Sequence, residues 1–146
     1  MNIQPYLFFN GTCEEAFTFY AKAFGGEILM MRRYEEMPAG EEGSDDSEEG
    51  KAFGKKIMHA RIQVGDAIIM GSDAHPRYEY KGMHGFRVNL GFDTGKEAED
   101  VFAILAKDAQ EIMMPVAETF WAERFGMLTD KYGTPWMVNG GEHKGP

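Results

Sequence analysis

At 146 residues the chain is one domain's worth and can bury a sizeable core, and 43% hydrophobic with 13% aromatic residues marks it as folded rather than disordered. Its formal net charge of −9 is local: eight acidic residues and no Lys or Arg lie between Glu35 and Glu49, and removing them from the chain's 24 leaves 16 acidic against 15 basic. No basic stripe offers itself to nucleic acid, and no apolar run approaches the roughly 18 residues of a membrane span.

Met1-Asn2-Ile3-Gln4-Pro5 lacks the charged and apolar regions of a signal peptide. A single cysteine, Cys13, excludes an internal disulfide framework and fits a reducing compartment, so the expected location is cytoplasmic. Ile3 to Phe9 predicts a strand, closed by a turn at Asn10-Gly11. Thr12-Cys13-Glu14-Glu15 then reads as a capping box that opens a helix. Ala16, Phe19, Tyr20, Ala23 and Phe24 fall on one helical stripe, and Gly25-Gly26 ends the helix in a left-handed cap. Glu27-Ile28 begins a second strand. The acidic stretch after it, 36–55, predicts a solvated loop, with a lid that repels anions or binds a cation as its functional reading.

Ile57 to Val64 predicts a third strand with two unlike faces: Met58, Ala60, Ile62 and Val64 on one, His59, Arg61 and Gln63 on the other. The apolar face must meet the helix, so the polar face lines the opposite, concave side of the sheet. Gly65-Asp66 turns into a fourth strand at Ala67-Ile68-Ile69-Met70.

The pattern then repeats. Thr12 and Glu15 recur 82 residues on as Thr94 and Glu97, a second capping box, and the helical stripe recurs as Ala98, Val101, Phe102, Leu105 and Ala106. Phe86 to Phe92 precedes it as a strand, Glu111-Ile112 matches Glu27-Ile28 at an offset of 84, and the turn Tyr132-Gly133-Thr134 matches Gly65 at 68. Each unit is strand, helix, strand, strand, strand, and the drop in offset puts about sixteen extra residues in the first. The predicted fold is α+β, two tandem βαβββ modules whose curved mixed sheets surround a concave cleft. It forms a single domain over 1–146, with module 1 at 1–74 and module 2 at 84–141.

Glu15-Ala16-Phe17-Thr18-Phe19-Tyr20 before Phe24-Gly25-Gly26, and Asp130-Lys131-Tyr132-Gly133, are motifs that resemble those of the vicinal oxygen chelate superfamily. That superfamily includes glyoxalase I, extradiol dioxygenases and bleomycin-resistance proteins. Pro5 to Gly11, Met58-His59-Ala60, Ser72-Asp73-Ala74, Glu118 to Ala122 and Thr129 to Asn139 resemble its PhnB-like branch more narrowly. The resemblance implies a homodimer and a small-molecule ligand. It also places the superfamily's four metal-ligand points at Pro5, Met70, Arg87 and Met137, none of which supplies the nitrogen or oxygen donor that a divalent ion needs. The expected state is therefore metal-free, with no cofactor. A divalent metal held elsewhere, as in a lyase, isomerase or dioxygenase, is the alternative, and a non-catalytic interaction protein a second. The branch's name links some members to demethylubiquinone methylation, but the chain has no glycine-rich S-adenosylmethionine loop.

His59 is the candidate catalytic or ligand-contacting residue, on the polar strand face with a side chain suited to proton transfer near neutrality. A bond to a neighbouring strand's side chain is its competing role. Arg87 is expected to replace the metal by fixing an oxygen-rich anion, or else to form a structural salt bridge with Glu or Asp. Arg61 shares the polar face with His59. Met70 and Met137, at the lost ligand points, would give a soft pocket floor. Trp121, in the loop 118–124 before the seventh strand, would close the pocket mouth, unless it packs in a core or a dimer interface. Asp130 reads as a turn-former, and Asp73 as structural or as a partner of His59. Cys13 lies where a helix macrodipole would lower its pKa, with no base placed beside it. A zinc site from His59, Asp73, His75 and His84 has no recognised spacing.

Overall fold

Two strand–helix–strand–strand–strand units follow one another, as the repeat predicts. The computed structural model describes residues 1–38 and 48–143, except for the side chains of residues 49 and 50. The chain divides into two compact units, Met1–Gly82 and Met83–Pro146. No helix among the described residues is long and apolar enough to cross a membrane.

In the first unit β1 (Tyr6–Phe9), α1 (Cys13–Phe24), β2 (Glu27–Arg33), β3 (Ile57–Val64) and β4 (Ala67–Asp73) build a sheet in the order β1-β4-β3-β2. β1 runs parallel to β4, and the other pairs are antiparallel. The expected acidic loop is bounded by a 3-10 turn at Tyr34–Glu36 and a short helix α2 (Glu48–Ala52), so its ends are structured, and residues 39–47 lie outside the described residues. In the second unit β5 (Val88–Phe92), α3 (Gly95–Ala106), β6 (Glu111–Ala117), β7 (Ala122–Thr129) and β8 (Pro135–Glu142) give the matching order β5-β8-β7-β6. β2 and β6 carry a register shift at the same place, after Ile28 and after Ile112.

Three expectations need correction. The first strand of each unit starts later than predicted, at Tyr6 and Val88 rather than Ile3 and Phe86, so Arg87 precedes its strand. Thr94 caps α3 by accepting from the Glu97 N–H at 3.2 Å, but Thr12 makes no such bond. Asp73 takes its place from the end of β4: Oδ1 accepts from the Cys13 N–H (2.9 Å) and Oδ2 from the Ile57 N–H (2.8 Å). A carboxylate that reaches the first helical amide satisfies an orphan donor and opposes the positive end of the macrodipole. Gly25 does end α1 in the left-handed conformation (φ 67°).

The buried stripe of α1 is also rotated from the predicted one, to Cys13, Ala16, Phe17, Tyr20 and Ala21. Phe17 is the contact the helical pattern missed, and it sets the sheet beneath: a Cβ at Gly71 would lie 2.7 Å from the Phe17 ring. Gly126 does the same under Phe102, at 2.6 Å. Leu7, Ala60, Ile62 and Gly71 are buried on the helix side of the first sheet, and Trp136 and Val138 on that of the second.

Candidate functional site

Because side chains alternate along a strand, burying Leu7, Gly71 and Ala60 under α1 sends Tyr6, Met70, Arg61 and His59 to the opposite face of the first sheet. Met70 is paired with Tyr6 on β1 and with Arg61 on β3. The Tyr6 hydroxyl lies 3.2 Å from His59 Nδ1, and the two rings stack at 5.6 Å and 29°. Ser72 bonds the same hydroxyl. With Nδ1 engaged by the Tyr6 hydroxyl, Nε2 is the His59 ring nitrogen left for another partner.

Burial, and secondarily the Arg61 charge, holds the His59 pKa below its ordinary value. Burial raises that of Tyr6, so this face presents a neutral imidazole and an intact phenol at neutral pH. Arg61 supplies the positive charge, and its Nε is buried without a hydrogen-bond partner. A buried donor left unsatisfied is costly, which makes it a point where an acceptor on a ligand would be held. Chemically the face offers ring stacking, hydrogen bonds from a phenol and an imidazole, and one guanidinium.

The other three candidates lie in the second unit. Arg87 donates from Nη1 to the carbonyls of Leu128 (2.9 Å) and Trp136 (3.4 Å) and from Nη2 to Met113 Sδ (3.3 Å). It is clamped on strand carbonyls, and among the described residues it is in no salt bridge with Asp or Glu. Met137 faces away from α3 between Asn89 and Met127. Trp121 stands immediately before β7, packed edge-on against Phe125 (5.1 Å, 73°) and Phe120 (4.7 Å, 83°). Seven residue steps along β7 separate it from the Leu128 carbonyl that holds Arg87, about 20 Å at strand spacing. His59, Arg61 and Met70 are thus brought together, and Arg87 and Met137 lie near one another, but Trp121 is at the far end of its sheet from Arg87.

Tyr6 and Ser72 are not among the site residues expected from the sequence, where Tyr6 stands only one position from the ligand point at Pro5. The signal was present: Tyr6 and Phe8 alternate with Leu7 and Phe9, so one pair of aromatics had to face away from the helix. The ligand point placed at Pro5 moves for the same reason, because Tyr6 is the residue that stands beside Met70.

By the same pairing the point placed at Arg87 moves to Asn89, which stands beside Met137. A phenol, a neutral amide and two thioethers form a poor donor set for a divalent ion, so the residues at the superfamily's ligand points do not fit a metal. Among the described residues no group of three or more His, Cys, Asp or Glu comes together to hold one. The combination with Asp73 and His75 fails because both Asp73 oxygens accept backbone amides, and His75 is packed edge-on between Tyr34 and Phe53. Cys13 is no nucleophile: burial, then the charges of Asp73 and Glu14, push its thiol far up rather than down. Asp130 is the expected turn-former, Oδ1 accepting from the Tyr132 and Thr134 amides and Oδ2 from Trp136 Nε1 at 2.8 Å.

The family model described as 3-demethylubiquinone-9 3-methyltransferase matches residues 1–139. Protein YjdN of Escherichia coli (strain K12) is 36% identical over 141 residues, 95% of either chain. Protein PA1353 from Pseudomonas aeruginosa has a similar structure, with a TM-score of 0.85 and 41% identity over 96% of this chain and 97% of that one. The PhnB protein from Bacillus cereus gives 0.74 and 27% over 96% and 99%. A glyoxalase/bleomycin resistance/dioxygenase family enzyme from Burkholderia phytofirmans PsJN, at 0.61 and 14% over 94% and 95%, shares the fold.

Proposed function

The chain belongs to the PhnB-like family, whose model is described as 3-demethylubiquinone-9 3-methyltransferase and whose fold is that of the glyoxalase/bleomycin resistance/dioxygenase proteins. On that premise we propose that it binds a small organic ligand carrying an oxygen-rich or anionic group, without a metal. The observation that carries the reading is the open face of the first sheet, where Arg61 Nε lies buried and unpartnered near the Tyr6–His59 pair. Arg61 pairs with the anion, Tyr6 and His59 orient it, and Met70 lines the floor. Arg87 and Met137 are a second place where a guanidinium stands near thioethers, and Trp121 contributes aromatic surface. His59, neutral at pH 7, is the base if the bound ligand is also turned over.

The test is a titration of EDTA-treated protein with a panel of small organic anions, read as melting temperature, since a ligand that binds the folded state raises it as the logarithm of one plus the ligand concentration over Kd. A shift without added metal that is lost in Arg61→Gln is expected. A shift that appears only after Zn, Mn, Ni or Fe is added sinks the metal-free reading. His59→Ala abolishes turnover if the site is catalytic and only weakens binding if it is not.

The same reading includes a cytoplasmic homodimer. The outer strands β2 and β6 expose Ile28 and Leu29, and Ile112, Met113 and Met114, and unpaired apolar strand edges are stabilised by a partner strand or a covering surface. Light scattering that gives the mass of one chain at micromolar concentration removes the dimer.

A further inference from the structure

Beside this face lies a cavity of about 440 Å³, formed wholly within the first unit. Phe8, Tyr34, Tyr78 and Tyr80 line it, together with the charged, exposed Glu79 and Lys81. Its size falls within the roughly 300–1,000 Å³ typical of small-molecule sites. The hydroxyls of Tyr34 and Tyr80 are already engaged as donors, to the Asp73 carbonyl (2.7 Å) and the Phe8 carbonyl (3.3 Å). Those two tyrosines therefore offer ring surface more than hydrogen bonds. Burial keeps both as phenols, Tyr34 pushed up to about 12, so neither brings a negative charge into the cavity.

Phe8 joins the two places. It is half-exposed, lines the cavity, and lies 5.1 Å from Tyr6, which stacks in turn on His59 at 5.6 Å. An unbroken line of rings thus runs from the imidazole into the aromatic chamber, with the Arg61 guanidinium at one end and the ring surface of the chamber at the other. We infer that the ligand is an elongated amphiphile, a planar aromatic body seated in the Phe8–Tyr78–Tyr80 chamber and an anionic head held at Arg61. The inference rests on the binding reading above and adds the class of molecule. Aromatic side chains suit such a body because offset and edge-on ring contacts add attraction beyond the area they bury.

Naphthalene-2-sulfonate is the probe, with 2-naphthol as the body without the charge and methanesulfonate as the head without the body. Calorimetric titration is expected to give saturable binding of the sulfonate, weaker binding of the naphthol, and little of methanesulfonate. Tyr78→Ala, at a side chain 64% exposed, is expected to weaken sulfonate and naphthol alike by about five- to tenfold. Phe8→Leu, which keeps an apolar strand residue, does the same if the Tyr78 variant misfolds. Arg61→Gln is expected to weaken the sulfonate only. If Tyr78→Ala and Phe8→Leu leave sulfonate binding unchanged while Arg61→Gln reduces it, the aromatic chamber is wrong and the anion site stands. If the aromatic variants reduce binding and Arg61→Gln does not, the anion site is wrong and the class of ligand with it. Sulfonate binding that none of the three alters overturns both.

Discussion

The two units share a strand order, yet they solve the same local problems differently. The N-terminus of α3 is closed from within by Thr94, three residues from the amide it accepts, whereas that of α1 is closed by Asp73, sixty residues away at the end of β4. Their sheet faces away from the helix diverge as well: the first carries Tyr6, His59 and Arg61, the second a row of Asn89, Met137 and Met127. A duplicated fold constrains which backbone groups need partners. It does not constrain which residue supplies them, nor what the free face displays.

The largest effects are expected at the two buried carboxylates. Asp73→Ala orphans the Cys13 and Ile57 amides, and Asp130→Ala orphans the Tyr132 and Thr134 amides together with the Trp136 indole N–H. At about 1–3 kcal/mol for each stranded donor, either variant is expected to lose roughly 4 kcal/mol in urea denaturation. If Asp73→Ala costs no more than an ordinary surface substitution, the long-range cap is not what holds α1. A smaller loss is expected where helix meets sheet. Gly71→Ala drives a Cβ against the Phe17 ring and the Leu7 carbonyl, and Gly126→Ala drives one against Phe102. Overpacking of this kind costs about 1–3 kcal/mol, and similar losses in the two units would show that the helices seat equally tightly.

The caps sharpen the comparison at a lower magnitude. Thr94→Ala is expected to lose about 1 kcal/mol, and Thr12→Ala less than about 0.5, by the same denaturation measurement. Sequence alone gave these threonines one role, since Thr-x-x-Glu stands at both. Periodicity and turn chemistry are local, and they made legible the repeat, both helices, the Gly25 cap and the Asp130 turn. What stayed hidden is set by distant partners: Asp73 displaces Thr12 only once β4 lies beside α1. The offset of 82 failed for a subtler reason. It carries Leu7 and Phe9, buried under α1, onto Asn89 and Gly91, which are exposed, while Leu90 shares a pairing with the buried Val138. A single residue gained or lost between strand and helix inverts a strand's faces without disturbing the helical match. The site inherits that error: the register puts the ligand point on Pro5, one residue short of the Tyr6 that pairs with Met70.

The smallest expected effect separates the two faces by titration. His59 protonates near 6.5 in the unfolded chain and below that when folded, through burial first and Arg61 second. Above that pH both states are neutral, and His59 contributes nothing to the pH dependence of stability. As the pH falls through the window between the two values, the unfolded chain takes up the proton first and the folded state loses stability. His59→Gln is expected to flatten that part of the curve, and a His59 ring signal with an NMR inflection above 6.5 would contradict the assignment. Anion binding should move the other way. Once the folded imidazole is charged, it adds a second cation beside Arg61, so an aryl sulfonate binds more tightly at low pH in the wild type and not in His59→Gln. Asn89, Met137 and Met127 do not themselves titrate, so the methionine methyl signals of that row are expected to stay flat between about pH 5 and 8. A binding curve that tightens in acid while those methyls remain still would assign the anion to the first sheet. Movement of both together would mean that the ligand, or the fold, reports from somewhere else.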